Sequence, residues 1–181
     1  MRTNIFRTLS VVTSLMIMAG NVHAQSLEFR ARVVSGSCQL DFSDFGNVLD
    51  LGSMNMSEVS SGKGYTTPQV PFSIILRQCP AEYPQVSLSF QGEVDENDDR
   101  LLAVNHQGPS PLQGAGIAFY DLNTPNSPAP LMAINTGRSV AIATDSEGNA
   151  QLRFAAAMMV DGKSPVPGLS QPVVSVTVNY Y

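Results

Sequence analysis

The sequence has no tryptophan, only two cysteines and two histidines, and formal charge on just 14% of its residues. Each scarcity removes a class of function. The cysteines, Cys38 and Cys79, lie too far apart for a redox C-x-x-C pair, and so few thiols and imidazoles leave no zinc-ligand spacing. Acidic residues outnumber basic ones by 15 to 10, for a net charge of −5, which argues against nucleic acid as a partner. Beyond the N-terminus no apolar run is long enough to span a membrane as a helix, so no transmembrane segment is expected in the mature chain.

What is present begins with an export pattern. Arg2 and Arg7 flank a short basic region, an apolar stretch follows from Leu9 to Ala19, and Val22-His23-Ala24 offers small residues before a cut at Gln25. Residues 1–24 are therefore expected to be a signal peptide. The remainder, roughly 160 residues with a charge near −7, suits one domain with a sizeable core. In an oxidising compartment an even pair of cysteines forms one disulfide, here Cys38 with Cys79. A loop of this length contributes about 4 kcal/mol in the chain-entropy description.

Strand-like runs dominate the mature chain, and no helix period stands out. "LEFRARVV" alternates from Leu27, "VPFSIIL" runs from Val70 to Leu76 as a more fully buried strand, and "VSLSF" covers 86–90. "GIAFY" covers 116–120, "SVAIA" 139–143, and "QLRFAAAMMV" places Leu152, Phe154, Ala156 and Met158 on one face. Ser61-Gly62-Lys63-Gly64, Gln107-Gly108-Pro109, Asn135-Thr136-Gly137 and Glu147-Gly148-Asn149 supply the turns. Short strands at this spacing predict an all-β sandwich of the immunoglobulin kind.

Candidates for chemistry are few. Asp95, Asn97 and Asp99 match the first spacings of a calcium loop, but Arg100 stands where glycine is needed and His106 where a bidentate glutamate is needed. A solvated acidic turn is the better reading. His106 and Ser110 share no nucleophile motif, Asn55-Met56-Ser57 is a glycosylation sequon of low specificity, and Met54/Met56 and Met158/Met159 read as core filler. No cofactor is implied.

The strongest pattern relates the two ends. "VVSVTVNYY", residues 173–181, is a long alternating apolar strand with no partner downstream, an aggregation hazard as a free edge. Near the other end Leu27, Phe29, Ala31 and Val33 alternate with Glu28, Arg30 and Arg32 in a segment, 25–35, just ahead of Cys38. With a glycine fourteenth from the end, Gly168, and a penultimate aromatic, Tyr180, this order resembles the subunits (pilins) of chaperone–usher fimbriae. "PQVPFSIILRQCP", "LSFQGEVDENDDRLLAV" and "GAGIAFYD" are similar to the minor subunits of type 1 fimbriae.

The resemblance implies an incomplete immunoglobulin-like β-sandwich, residues 36–181, that lacks its final strand and is completed by a donor strand. Gly168, Val174, Val176, Val178, Tyr180 and Tyr181 would then edge the open groove. Leu27, Phe29, Ala31 and Val33 would form an arm outside the chain's own fold that fills the next subunit's groove. The implied partners are a periplasmic pilus chaperone that also anchors the terminal carboxylate, an outer-membrane usher and neighbouring subunits. The implied location is a fimbrium on the cell surface, reached through the periplasm.

Ala31 stands where the family usually has glycine, which would make the arm selective for one neighbour. The thirteen residues from Gln25 to Ser37 make a short arm, favouring a minor or adaptor subunit over a rod or terminating one. A reading of another class is a self-complete secreted sandwich that binds a ligand, with residues 27–33 as its ordinary first strand.

Overall fold

A computed structural model describes residues 25–31, 37–54, 62–104 and 112–181. The regular elements among them are all strands: β1 (Gln25–Ala31), β2 (Gln39–Asp41), β3 (Val48–Gly52), β4 (Val70–Arg77), β5 (Gln85–Gln91), β6 (Leu102–Ala103), β7 (Ala115–Asp121), β8 (Leu131–Met132), β9 (Ile142–Ala143), β10 (Ala150–Val160) and β11 (Val173–Tyr180). They form two sheets, ordered β3-β1-β11-β5-β9 and β2-β4-β10-β7-β6, with β8 added to β7. This is the all-β, immunoglobulin-like sandwich that the strand pattern predicts.

Alternation decides which face of each strand closes the core. In β10, Leu152, Phe154, Ala156 and Met158 all point inward and are essentially inaccessible, as the sequence reading has it. Phe90 and Phe119 stack across the two sheets with ring centroids 4.4 Å apart, and Phe154 meets Phe90 edge-on at 5.1 Å. Burying such a ring contributes roughly 1.5–3 kcal/mol, so this cluster holds the sheets together.

Two strands differ from expectation. β4 is buried on one side only, through Phe72, Ile74 and Leu76, because Ser73 and Ile75 lie on the outer face of its sheet. The run 139–143 gives only the two-residue β9, although Ser139 N–H donates to the Leu88 carbonyl at 2.9 Å and so continues the edge beside β5. β2, β6 and β8 are too short to be read from the sequence, and β3, whose buried Leu49 and Leu51 alternate with exposed residues, is an addition to the strands read there.

The outer face of the second sheet has a small core of its own, in which Leu101, Ala118, Tyr120, Ala155 and Ala157 are buried. Leu101 can lie flat there because residue 116 is glycine: a Cβ at Gly116 would sit 2.7 Å from the Leu101 Cβ. The disulfide joins Cys38 to Cys79, as expected. The predicted turn at Gly148 packs against it: Cys79 N–H donates to the Gly148 carbonyl at 2.8 Å, and Gly148 takes a φ of 77°.

The acidic turn is largely exposed, as its reading as solvated has it, but Asp98 is an exception that ties it into the fold. Asp98 is buried and receives a two-pronged bond from Arg100, 2.8 Å from Nε and 2.6 Å from Nη2. Asn97 Nδ2 donates to buried Asp161 at 2.8 Å, tying the turn to the residue after β10. Among the described residues no group of carboxylates, cysteines or histidines could hold a metal ion. His106, Ser110, the sequon at Asn55 and Met56 lie outside the described residues.

The network sets a pH response. Hydrogen bonds from Arg100 hold the Asp98 carboxyl down at about 2, whereas burial first, and then the Asp161 charge, push Asp95 up. Asp98 therefore stabilises the fold fully above the ordinary carboxylate value near 3.8, and that contribution is lost as pH falls from there toward 2. Asp95 has the opposite sign: it carries no penalty below its ordinary value and an increasing one as pH rises through its folded value. Denaturant titrations across pH should show Asp98→Asn less stable at pH 7 with a flattened acid limb. Asp95→Asn should gain stability at pH 7 alone.

Candidate functional site

The last strand is the centre of the site. β11 pairs antiparallel with β5 over Ser175–Tyr180 and parallel with β1 over Val173–Val176. Its inward residues Val174 and Val176 are buried, and Val178 and Tyr180 pack partly buried against the same core. The strand thus has two edges and one apolar face to satisfy, and β5 covers only one edge.

β1 covers the other. It lies between β11 and β3, with Glu28 opposite Val173 and Ala31 opposite Val176 on one side, and Leu27 opposite Leu49 on the other. Glu28 N–H donates to the Pro172 carbonyl at 3.0 Å, and Phe29 N–H to the Asn47 carbonyl at 2.8 Å. Leu27 and Phe29 point into the core and are 0% and 3% exposed. The Phe29 ring approaches Phe45 at 4.8 Å and Phe72 at 5.1 Å, and lies within 6.4 Å of Phe119.

This placement gives the arm a position within its own chain. The arm predicted to lie outside its own fold is, in this single chain, inside it, and its removal would leave β11 and β3 without their shared partner. The physical reason is that the groove and two apolar side chains that fit it belong to one molecule. Connectivity also fixes the direction. Cys38 N–H donates to the Tyr180 hydroxyl at 2.9 Å, so the chain leaves β1 at the Tyr180 end and must enter from the Gly168 end, parallel to β11.

The sequence-predicted residues therefore divide. Leu27, Phe29, Val174, Val176, Val178 and Tyr180 converge on one groove. The Ala31 backbone pairs in register with Val176, and Val33 lies outside the described residues. Tyr181 does not face the groove: its backbone pairs with Gln85, and its exposed hydroxyl accepts from Ser87 at 3.4 Å and Arg138 at 3.5 Å. Those bonds, Ser87 first, lower the phenol below its ordinary value. Beyond Val176 the groove stays open, with a volume of about 460 Å³ lined by Cys38, Leu40, Val176, Val178 and Tyr180.

Gly168 has a partner that sequence reasoning missed. The Gln25 side chain, 7% exposed, donates from Nε2 to the Gly168 carbonyl at 2.6 Å and accepts the Ser170 N–H at Oε1, 2.7 Å away. The signal was available, since Gln25 shares the parity of Leu27 and Phe29. Tyr83, whose ring lies 5.2 Å from that of Tyr180, gave no such signal.

The groove performs no bond chemistry; it presents main-chain donors, acceptors and apolar sockets to an extended strand. Among the described residues no helix is long and apolar enough to cross a membrane. No protein-family model matches the chain. In sequence it is similar to "Fimbrial subunit type 1" of Salmonella typhimurium, 26% identical over 170 residues covering 93% of this chain and 86% of the relative. It is also similar to "Type-1 fimbrial protein, A chain" of Salmonella typhi, 29% identical over 159 residues covering 81% and 83%. In fold it is similar to the P pilus rod subunit PapA, with TM-score 0.59 and 16% identity over 80% of this chain and 99% of that one. A chaperone–usher pilus chain matches at TM-score 0.58 and 18% identity over 99% of this chain and 100% of the other.

Because β1 and β11 share one core here, Phe29→Asp and Val176→Asp should each destabilise the isolated chain by at least about 3 kcal/mol, each losing apolar burial and placing a carboxylate in an apolar site. Denaturant midpoints of the two variants check this. A Phe29→Asp midpoint equal to that of the parent chain would show that the arm does not lie in its own groove.

Proposed function

We propose that this chain, a homologue of fimbrial subunits with the fold of chaperone–usher pilus subunits and a structural protein rather than an enzyme, polymerises by donor-strand exchange. Residues 25–35 of one copy would leave their own groove and fill that of the next. The observation that carries this reading is the position of β1: among the described residues it is the only ladder partner of β3 and one of two for β11, and in a chain cut before Gln25 it would reach the rest of the domain through Cys38 alone. A segment so placed can be exchanged for an equivalent strand without redrawing any other pairing.

Export follows from the same reading. A nascent subunit would need a periplasmic chaperone to cover the groove and an outer-membrane usher to hand it to its neighbour, ending in a fimbrium on the cell surface. The short segment ahead of Cys38 supports a minor or adaptor position. A rod position is favoured instead by the names of its relatives, an A chain of type-1 fimbriae and the P pilus rod subunit. Closure of the groove by β1 of the same chain favours a second reading, a self-complete sandwich that binds a ligand.

One experiment tests whether the groove accepts a strand supplied in trans. A chain lacking residues 25–35 loses Leu27 and Phe29, roughly 1.5–3 kcal/mol each, together with the ladder bonds of β1. It should fold only when a synthetic peptide of residues 25–36 or a chaperone is supplied, as followed by near-ultraviolet circular dichroism and gel filtration. Cooperative unfolding of the truncated chain alone, with ordinary stability, would exclude an acceptor groove.

A further inference from the structure

We propose that Gln25 is a latch that sets how long the arm stays in its own groove; the inference rests on the strand-exchange reading above. Two hydrophobic side chains hold β1 by apolar contact, which is tolerant of position. The carboxamide of Gln25 is not. Its donor nitrogen and acceptor oxygen meet the Gly168 carbonyl and the Ser170 N–H at 2.6 and 2.7 Å, the pairing that a neighbouring strand's backbone would make. Both contacts lie in the segment leading into β11, and the side chain is almost wholly shielded from water.

Position makes this clamp decisive for release. In the exported chain, cut before Gln25 as the sequence predicts, it lies at the N-terminal end of β1, whereas the opposite end is held by the chain itself through Cys38 and its bond from the backbone to Tyr180. Peeling must therefore start at Gln25 or work against the covalent connection. Gln25 must break both hydrogen bonds before Leu27 can leave, and a buried main-chain N–H at Ser170 loses its acceptor when it does. Glu28 and Arg30, on the exposed face, pair with each other at 2.9 Å and add no tie to the groove. Asparagine is one methylene too short to span the same two groups, and glutamate can accept from Ser170 but donates to Gly168 only when protonated.

The test is amide hydrogen exchange on the oxidised, exported chain, compared between the parent, Gln25→Ala and Gln25→Glu. Gln25→Ala should lower protection at residues 28–31 and 173–176 by about ten- to a hundredfold, as two hydrogen bonds of a buried amide would. Protection in the centre of β10, residues 154–157, should change far less. Gln25→Glu should resemble Gln25→Ala at pH 7 and regain protection on acidification toward pH 4, where its carboxyl group can again donate. Unchanged protection at β1, or an equal fall in β1 and β10, would overturn the latch by making Gln25 inert or merely structural. Uptake of a labelled peptide of residues 25–36 is read in parallel and should be at least about tenfold faster in Gln25→Ala. If neither chain takes up peptide while the local loss of protection persists, strand exchange fails and the latch stands.

Discussion

An apolar β-strand has to satisfy three things at once, two hydrogen-bonding edges and one hydrophobic face, and β11 depends on other segments for all of them. Everything distinctive about this molecule follows from how they are met. β5 supplies one edge through antiparallel pairing, the facing sheet supplies the core, and the remaining edge falls to residues 25–31. Without that last contribution the Val174 and Val176 sockets lose Leu27 and Phe29, and β3 loses the only ladder it has among the described residues. A sandwich with a gap of this kind persists in water only if something extended and apolar occupies it.

The rest of the domain reads as support for holding that gap open in a fixed shape. The disulfide fixes Cys38 at one end of the groove, where its N–H meets Tyr180. The turn at Gly148 braces Cys79 from the other side. The ring cluster of Phe72, Phe90, Phe119 and Phe154 keeps the sheets together at the level where Phe29 enters. Away from the groove, the network of Asp98, Arg100, Asn97 and Asp161 secures the acidic turn to the end of β10. Among the described residues no buried side-chain polar atom lacks a partner, so the scaffold spends none of its stability on strain of that sort.

The chain is similar to fimbrial subunits, and under the proposed exchange a strand that closes one molecule would become a link between two. Under the proposed exchange the same strand would have two states, closed on its own groove or inserted in a neighbour's.

The long strands, the all-β class, the disulfide and the unusual pairing of an apolar tail with an apolar arm were legible from residue order, because period-two alternation and cysteine parity are local properties. The groove residues Leu27, Phe29, Val174 and Val176 were legible for the same reason. The strands β2, β6 and β8 were not, since runs of two or three residues carry no period of their own, whereas β3 does alternate through Leu49 and Leu51 and was overlooked. Burial of Asp98 and Asp161 was equally hidden, because a run of carboxylates reads as solvated until Arg100 and Asn97 are seen to meet them. Gln25 carried the right parity, but only the path of residues 168–170 makes its carboxamide a clamp. Sequence by itself determined that β11 needs a strand beside it. The tertiary structure decided which strand, because the short connection from Ala31 to Cys38 lets residues 25–31 reach the groove of their own chain in one direction, parallel to β11.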